Sequence, residues 1–213
     1  MNEIELAKSV VLWLQEQHWE VYQEVQFHYG GGVADIVAVR NNILWIIECK
    51  TSYSFHLLEQ ATGWPVHYRS VAVPWAHTLR DFRVAKYYYS VGVLEVNNKY
   101  VQEVVPAPLF VRDFKKTNEL IGKLTDLHKT YALAGSQSGH HLTPYKQTML
   151  EVQKIIEKNP GCTISYLYDQ LGNMHYSSAS SFKGNLIKAL EDFEKWCLID
   201  KSTKPYKLFT LDF

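Results

Sequence analysis

Asp35, Glu48 and Lys50 are the residues of this chain best placed to do chemistry together, because of where two short segments would put them. Val33 to Arg40 (VADIVAVR) and Ile43 to Lys50 (ILWIIECK) are separated only by Asn41-Asn42, and an Asn pair suits a two-residue hairpin loop whose central residues both need positive φ. In that hairpin Arg40 pairs with Ile43, and counting back along both strands sets Asp35 directly across from Glu48. Cross-strand Cβ atoms lie roughly 4.5–5.5 Å apart and like charges there destabilise a sheet, so the pairing has no structural purpose. A cation removes the objection. Lys50 lies two residues beyond Glu48 and shares its face, while Cys49 points the other way. Carboxylates, backbone carbonyls and water are what Mg²⁺ accepts, and a metal so held activates water and stabilises charge on a phosphate.

The plainer reading makes Glu48 and Lys50 a solvated strand end, with Asp35 a turn residue or an ion-pair partner for Lys50. Two features argue against it. Leu44 to Ile47 is an unbroken apolar run, as in a central strand covered on both faces, and the facing segment carries Ile36, Val37, Ala38 and Val39. Charges at the end of a buried strand need a partner or a function.

The elements around these strands follow from pattern. Residues 3–18 read as an amphipathic helix with Ile4, Ala7, Val11 and Leu14 on its apolar stripe, and residues 19–27 as a strand. Gly30 to Gly32 lacks the strand-loop-helix context of a nucleotide site and reads as a tight connection or a place of substrate approach. Residues 55–68 read as a helix that Gly63 and Pro65 kink or end early. Residues 70–73 read as a buried strand, 79–89 as a helix, 91–96 and 99–104 as a hairpin around Asn97-Asn98, and 117–133 as one more helix. A helix between residues 43–50 and 70–73 allows a parallel crossover, so the expected class is α/β with a mixed sheet.

Residues 135–143 have the small, polar composition of a linker between a domain at 1–134 and a second at 144–213. The second domain reads as helices at 144–158, 164–171 and 177–196 followed by strands at 197–200 and 206–211, which makes a small winged helix-turn-helix-like domain the natural expectation. Lys183, Lys188 and Lys195 on its long helix, with Lys201, Lys204 and Lys207 in the presumed wing, are candidate phosphate contacts. Glu191, Asp192 and Glu194 dilute that charge, and such domains also bind proteins.

Composition sets the limits. The chain has 213 residues, 46% of them hydrophobic, and 22 basic against 22 acidic side chains, so nucleic acid binding would rest on a local patch rather than a broad basic surface. Before Gly135 there are 13 basic and 14 acidic residues, and after it nine and eight, so neither half is a basic module. No stretch approaches the roughly 20 apolar residues that span a bilayer, and the acidic start MNEIELAK is unlike a secretory signal. Three scattered cysteines fit a reducing compartment, so the expected location is cytoplasmic, with no membrane partner.

In motif and element order residues 3–105 resemble the PD-(D/E)xK nuclease superfamily, the restriction-endonuclease-like fold. That fold has an αβββαβ core with an Asp on its second strand and E-x-K on its third, supplied here by Asp35 and Glu48-Cys49-Lys50. The resemblance implies that Asp35, Glu48 and the Cys49 carbonyl bind Mg²⁺, with Mn²⁺ as a substitute, and that Lys50 orients the attacking water. It implies a further acidic ligand on the first helix, where Glu5 is either that ligand or an ordinary helix carboxylate complementing the dipole. It also implies a glutamine facing the site from the next helix, a place held by Gln60, with Trp64 where the subfamily pattern has tyrosine and Ala34 where the named proline stands. The function so implied is a metal-dependent endonuclease acting on DNA. The alternative is a non-catalytic nuclease-like fold that binds DNA or protein under regulation by the second domain. Many enzymes of this fold dimerise so that two sites cut both strands, which leaves a homodimer open.

Two other clusters admit a chemical reading. His140-His141 could ligate metal, but adjacent histidines without further ligand spacing read better as linker. Tyr87-Tyr88-Tyr89 could stack on bases, but such tyrosines more often cap a core edge.

Overall fold

The computed structural model describes residues 1–28, 31–75, 78–97, 100–110, 114–136 and 141–211. They form two compact units, Met1–Leu142 and Thr143–Phe213.

The first unit is a mixed α/β fold. Its element order opens with α1 (Glu3–Glu16), β1 (Glu20–Gln26), β2 (Val33–Arg40) and β3 (Ile43–Cys49). Then come α2 (Phe55–Thr62), β4 (Tyr68–Pro74), α3 (Leu79–Val84), a π-turn (Ala85–Tyr89), β5 (Gly92–Val96) and β6 (Val101–Val105). Two short helices follow, α4 (Phe114–Ile121) and α5 (Leu127–Thr130). The six strands lie in sequence order, with β3, β4 and β5 parallel and the other pairs antiparallel.

The hairpin between β2 and β3 forms as the Asn pair requires: Asn41 and Asn42 both have left-handed φ, at 52° and 61°. Arg40 pairs with Ile43 and Ile36 with Ile47. Strand β3 is central and buried from Leu44 to Cys49, because its side chains meet a core on each face. Trp45, Ile47 and Cys49 pack with α1, whereas Leu44 and Ile46 pack on the opposite face with Val37, Val66 and Leu120. Leu57, Leu58 and Ala61 of α2 cover β4 and β5 on that second face.

Several boundaries differ from the sequence reading, each for a local reason. Helix α1 buries Ala7, Val11 and Leu14 of the expected stripe together with Leu6 and Val10, while Ile4, in its first turn, is 41% exposed. The helix expected over residues 117–133 is two helices. Gly122 follows the first of them, and His128 Nδ1 accepts the Thr125 N–H to start the second. The helix at 79–89 widens into the π-turn at Ala85, where Tyr89 packs against a core edge as expected while Tyr87 and Tyr88 stand 69% and 83% exposed. Helix α2 ends at Thr62, ahead of Pro65, and β4 starts at Tyr68.

The stretch read as a linker belongs partly to the first unit. Ala134 and Leu142 are each 1% exposed, and Leu142 bridges to Val25 along the outer edge of β1. Gly30, Asn98 and His140 lie outside the described residues.

The second unit has three helices, α6 (Pro144–Lys158), α7 (Ile164–Leu171) and α8 (Ala179–Asp192), and an antiparallel pair, β7 (Cys197–Asp200) and β8 (Lys207–Thr210). Thr143, Thr163 and Ser178 cap the helices through side-chain oxygens, the residue types that do so best. Met149, Val152, Ile156, Leu167, Phe182, Leu186 and Leu208 form its core, and Cys162 bridges to Leu208. Among the described residues no helix is long and apolar enough to cross a membrane.

Candidate active site

Three carboxylates stand in a row across the first three strands. Gln23 pairs with Ile36 and Val25 with Ala34, so Glu24 is opposite Asp35; Ile36 pairs with Ile47, so Asp35 is opposite Glu48. Asp35 and Glu48 are close enough to hydrogen-bond to each other. The N–H of Cys49 donates to Asp35 Oδ2 at 2.7 Å, and the indole N–H of Trp64 donates to Glu48 Oε1 at 2.5 Å. Glu48 is 5% exposed and Glu24 7%.

Burial makes these groups reluctant to ionise, and the Asp35 charge adds to the effect at Glu48 and Glu24. Loss of solvent is the main cause in each. It pushes Asp35 up to about 6 although the Cys49 N–H and Lys50 oppose it, and Glu48 up to about 8 with the Asp35 charge adding to it. Glu24 rises to about 7 from burial and then from Asp35. Asp35 and Glu48 therefore titrate as a unit and hold a proton between them near neutral pH.

Lys50 is exposed and its Nζ lies 2.8 Å from Glu3 Oε1, so the first-helix carboxylate that meets the motif is Glu3. Its bond to Glu3 is the main reason the Lys50 ammonium is held above its ordinary value. Glu5 does something else. It forms a capping box, its carboxylate accepting the Asn2 N–H at 2.9 Å while its own N–H donates to Asn2 Oδ1 at 2.8 Å. The Glu3–Lys50 pair is half-exposed, and such pairs contribute only about 0–1 kcal/mol, so Lys50 is free to exchange partners.

Gln60 is exposed on α2, and the side chain that reaches Glu48 from beyond this helix is Trp64. The Cys49 thiol is fully buried on the α1 side and burial pushes it well up, so only the main chain of this residue is available to the carboxylates. In the second unit Lys183, Lys188 and Lys204 are exposed, but Lys183 sits over the Tyr168 ring at 5.1 Å and Lys201 is paired with Glu191.

Glu24 was missed from sequence. It occupies β1 with a left-handed φ of 50°, which turns its side chain out of the strand's alternation, and no signal in EVYQEVQ marks that turn. The Gly135 N–H holds its Oε1 at 2.9 Å, and the Ala134 N–H donates to Gln23 beside it at 3.1 Å. Gly135 has φ 77° and a Cβ there would come within 2.8 Å of the Glu3 backbone. Gly135→Ala is accordingly expected to cost on the order of 2 kcal/mol. A lowered denaturation midpoint with an unchanged slope checks this.

Among the described residues no three His, Cys, Asp or Glu side chains are arranged to hold a metal ion. Mg²⁺ does not need three, since it keeps several waters and is held by one or two carboxylates. Asp35 and Glu48 fit that demand: two hard oxygen donors, adjacent, both made reluctant to ionise by loss of solvent, and Glu48 further so by the Asp35 charge.

No family model matches the chain, and no curated protein matches it. The solved structure of a protein of unknown function from Silicibacter pomeroyi is similar to it, with a TM-score of 0.46 and 19% identity, covering 58% of this chain and 83% of that one.

Proposed function

We propose that the first unit is a metal-dependent nuclease that hydrolyses DNA phosphodiester bonds. The observation that carries this reading is the facing carboxyl pair of half-buried Asp35 and buried Glu48, with Lys50 directly beyond Glu48's strand. Structural economy does not account for two facing acids in a sheet, and a divalent cation would relieve them. The element order α1-β1-β2-β3-α2-β4 supports a restriction-endonuclease-like core.

Asp35, Glu48 and the Cys49 main chain would hold Mg²⁺ or Mn²⁺, which supplies a water of lowered pKa and charge stabilisation at the phosphate. The protein's own steps are simpler. Trp64 fixes Glu48, the Cys49 N–H fixes Asp35, and Glu3 parks Lys50 beside them. When an anionic phosphate enters, Lys50 leaves its weak partner for the stronger charge and neutralises the developing negative charge. Lys50 remains protonated throughout, so its role is electrostatic rather than that of a base.

The second unit, three capped helices and a terminal hairpin, fits a winged-helix-like domain that aids DNA or partner binding. Among the lysines expected to contact phosphate, Lys188 and Lys204 are better placed than Lys201 and Lys183, which already have partners. Three free cysteines suit a cytoplasmic setting.

Incubating the whole chain with plasmid DNA and Mg²⁺ or Mn²⁺ should convert supercoiled substrate to nicked or linear forms, and EDTA should stop it. No cleavage of any nucleic acid with either metal would favour the binding-module reading instead.

A further inference from the structure

A cavity lies on the α1 side of the sheet. Trp45 projects from β3 toward α1, whereas Glu48 alternates to the opposite face, where Trp64 holds it, so this cavity of about 260 Å³ is separate from that carboxylate. Trp13 and Trp19 supply its other aromatic walls, Arg40 enters from β2 and Glu103 from β6. The rings hold each other edge to face: Trp45 meets Trp13 at 72°, Trp19 at 64° and Tyr68 at 65°. Arg40 lies with its guanidinium carbon 4.3 Å from the Trp19 ring centre and donates to the Gln17 carbonyl at 2.7 Å. Glu103 accepts the Ala107 N–H at 3.1 Å. Among the described residues these two opposite charges line one cavity without forming an ion pair.

The walls select the ligand. Its volume is just under the roughly 300–1,000 Å³ of sites for drug-sized molecules, which suits one ring system rather than a larger group. Aromatic boxes also take quaternary ammonium groups, but Arg40 already holds a positive charge over one of the faces. Glu103 likewise disfavours an anion. What remains is a neutral planar ring with acceptors at one edge and donors at another. Guanine has that pattern, with O6 and N7 as acceptors on one edge and an N2 amino donor on another. Adenine places an amino donor beside N7, where it would face Arg40, and offers an acceptor at the opposite edge.

We propose that this cavity binds a guanine ring, stacked against the tryptophan walls, with Arg40 donating to its O6/N7 edge and Glu103 accepting from its amino edge. The site is independent of the nuclease reading, and a variant without Asp35 should keep it.

Ligand-observed NMR on the whole chain can test this with guanosine, adenosine and trimethyl-lysine. A second arm uses a dT pentamer carrying one central dG against plain dT. Guanine is expected to be preferred over adenine by on the order of tenfold, and Glu103→Gln to remove that preference. Glu103 is exposed, so this variant should melt as the parent does. Guanosine binding without pentamer binding assigns the site to a free nucleoside or nucleotide, and the converse to a base within a strand. Either supports the proposal. No guanine preference in both arms, an unchanged preference in Glu103→Gln, or tighter binding of trimethyl-lysine overturns it.

Discussion

Asp35→Ala and Lys50→Ala are each expected to reduce the proposed metal-dependent DNA cleavage by at least about 10³-fold, whereas Glu5→Gln is expected to leave it within about twofold of the parent. Asp35 loses the most because it is bound by the Cys49 N–H and faces both neighbouring acids, so its removal breaks the row at the centre. Lys50 is the cation at the end of this strand, and neither Glu3 nor Trp64 can replace it. Glu5 is the control. Its carboxylate closes the first turn of α1, so its replacement costs about 0.5–1 kcal/mol of stability and little activity. Initial rates on supercoiled plasmid, with melting curves for all three variants, separate the two effects. Equal cleavage by the Asp35 and Lys50 variants would remove the site assignment.

The metal-free protein is expected to become less stable as pH rises from about 4 to 8, and Mg²⁺, if held as proposed, to restore what is lost. The sign follows from proton counts. Asp35, Glu24 and Glu48 rise from 3.8, 4.5 and 4.5 to about 6, 7 and 8, so between those limits the folded chain binds more protons than the unfolded one. Stability then falls with increasing pH: the contribution is fully present below about pH 4 and is lost as pH passes each folded value. A tenfold difference in proton affinity between the folded and unfolded chain corresponds to about 1.4 kcal/mol, and coupling within the pair makes the three carboxyls less than additive. The expected loss is on the order of 3 kcal/mol between pH 5 and 8. Glu48→Gln is expected to flatten this dependence and to abolish the expected Mg²⁺ effect at pH 8. Denaturant titrations at pH 5 and 8, with and without MgCl₂, measure both. A flat profile in the parent would mean that the three carboxylates are not buried against each other.

What the sequence made legible was governed by short-range rules. The Asn pair specifies the hairpin, the hairpin specifies its register, and register alone brings Asp35 to Glu48. The parallel step from β3 to β4 follows from having a helix between them. The residues that were misplaced depend on contacts distant in sequence. Glu3 and Glu5 are equally acidic on paper, and only the docking of α1 on the sheet sends one to Lys50 and leaves the other to cap. Glu24 needs the β1–β2 register, which a glycine-rich connection of uncertain length hides, and a backbone turn stabilised by a residue more than a hundred positions away. The break at Gly122 was visible as a poor helix former but was outweighed by the apolar periodicity on either side.

The outer strands of the sheet bear on how copies of this protein can meet. Beside β1 the chain returns and Leu142 bridges to Val25. At the other border β6 is five residues long, is paired through a bulge, carries exposed Gln102 and Glu103, and is followed by Pro106. Shortness, a charge, a bulge and a proline are the devices that discourage strand addition. Growth of the sheet from molecule to molecule is thereby disfavoured on both margins.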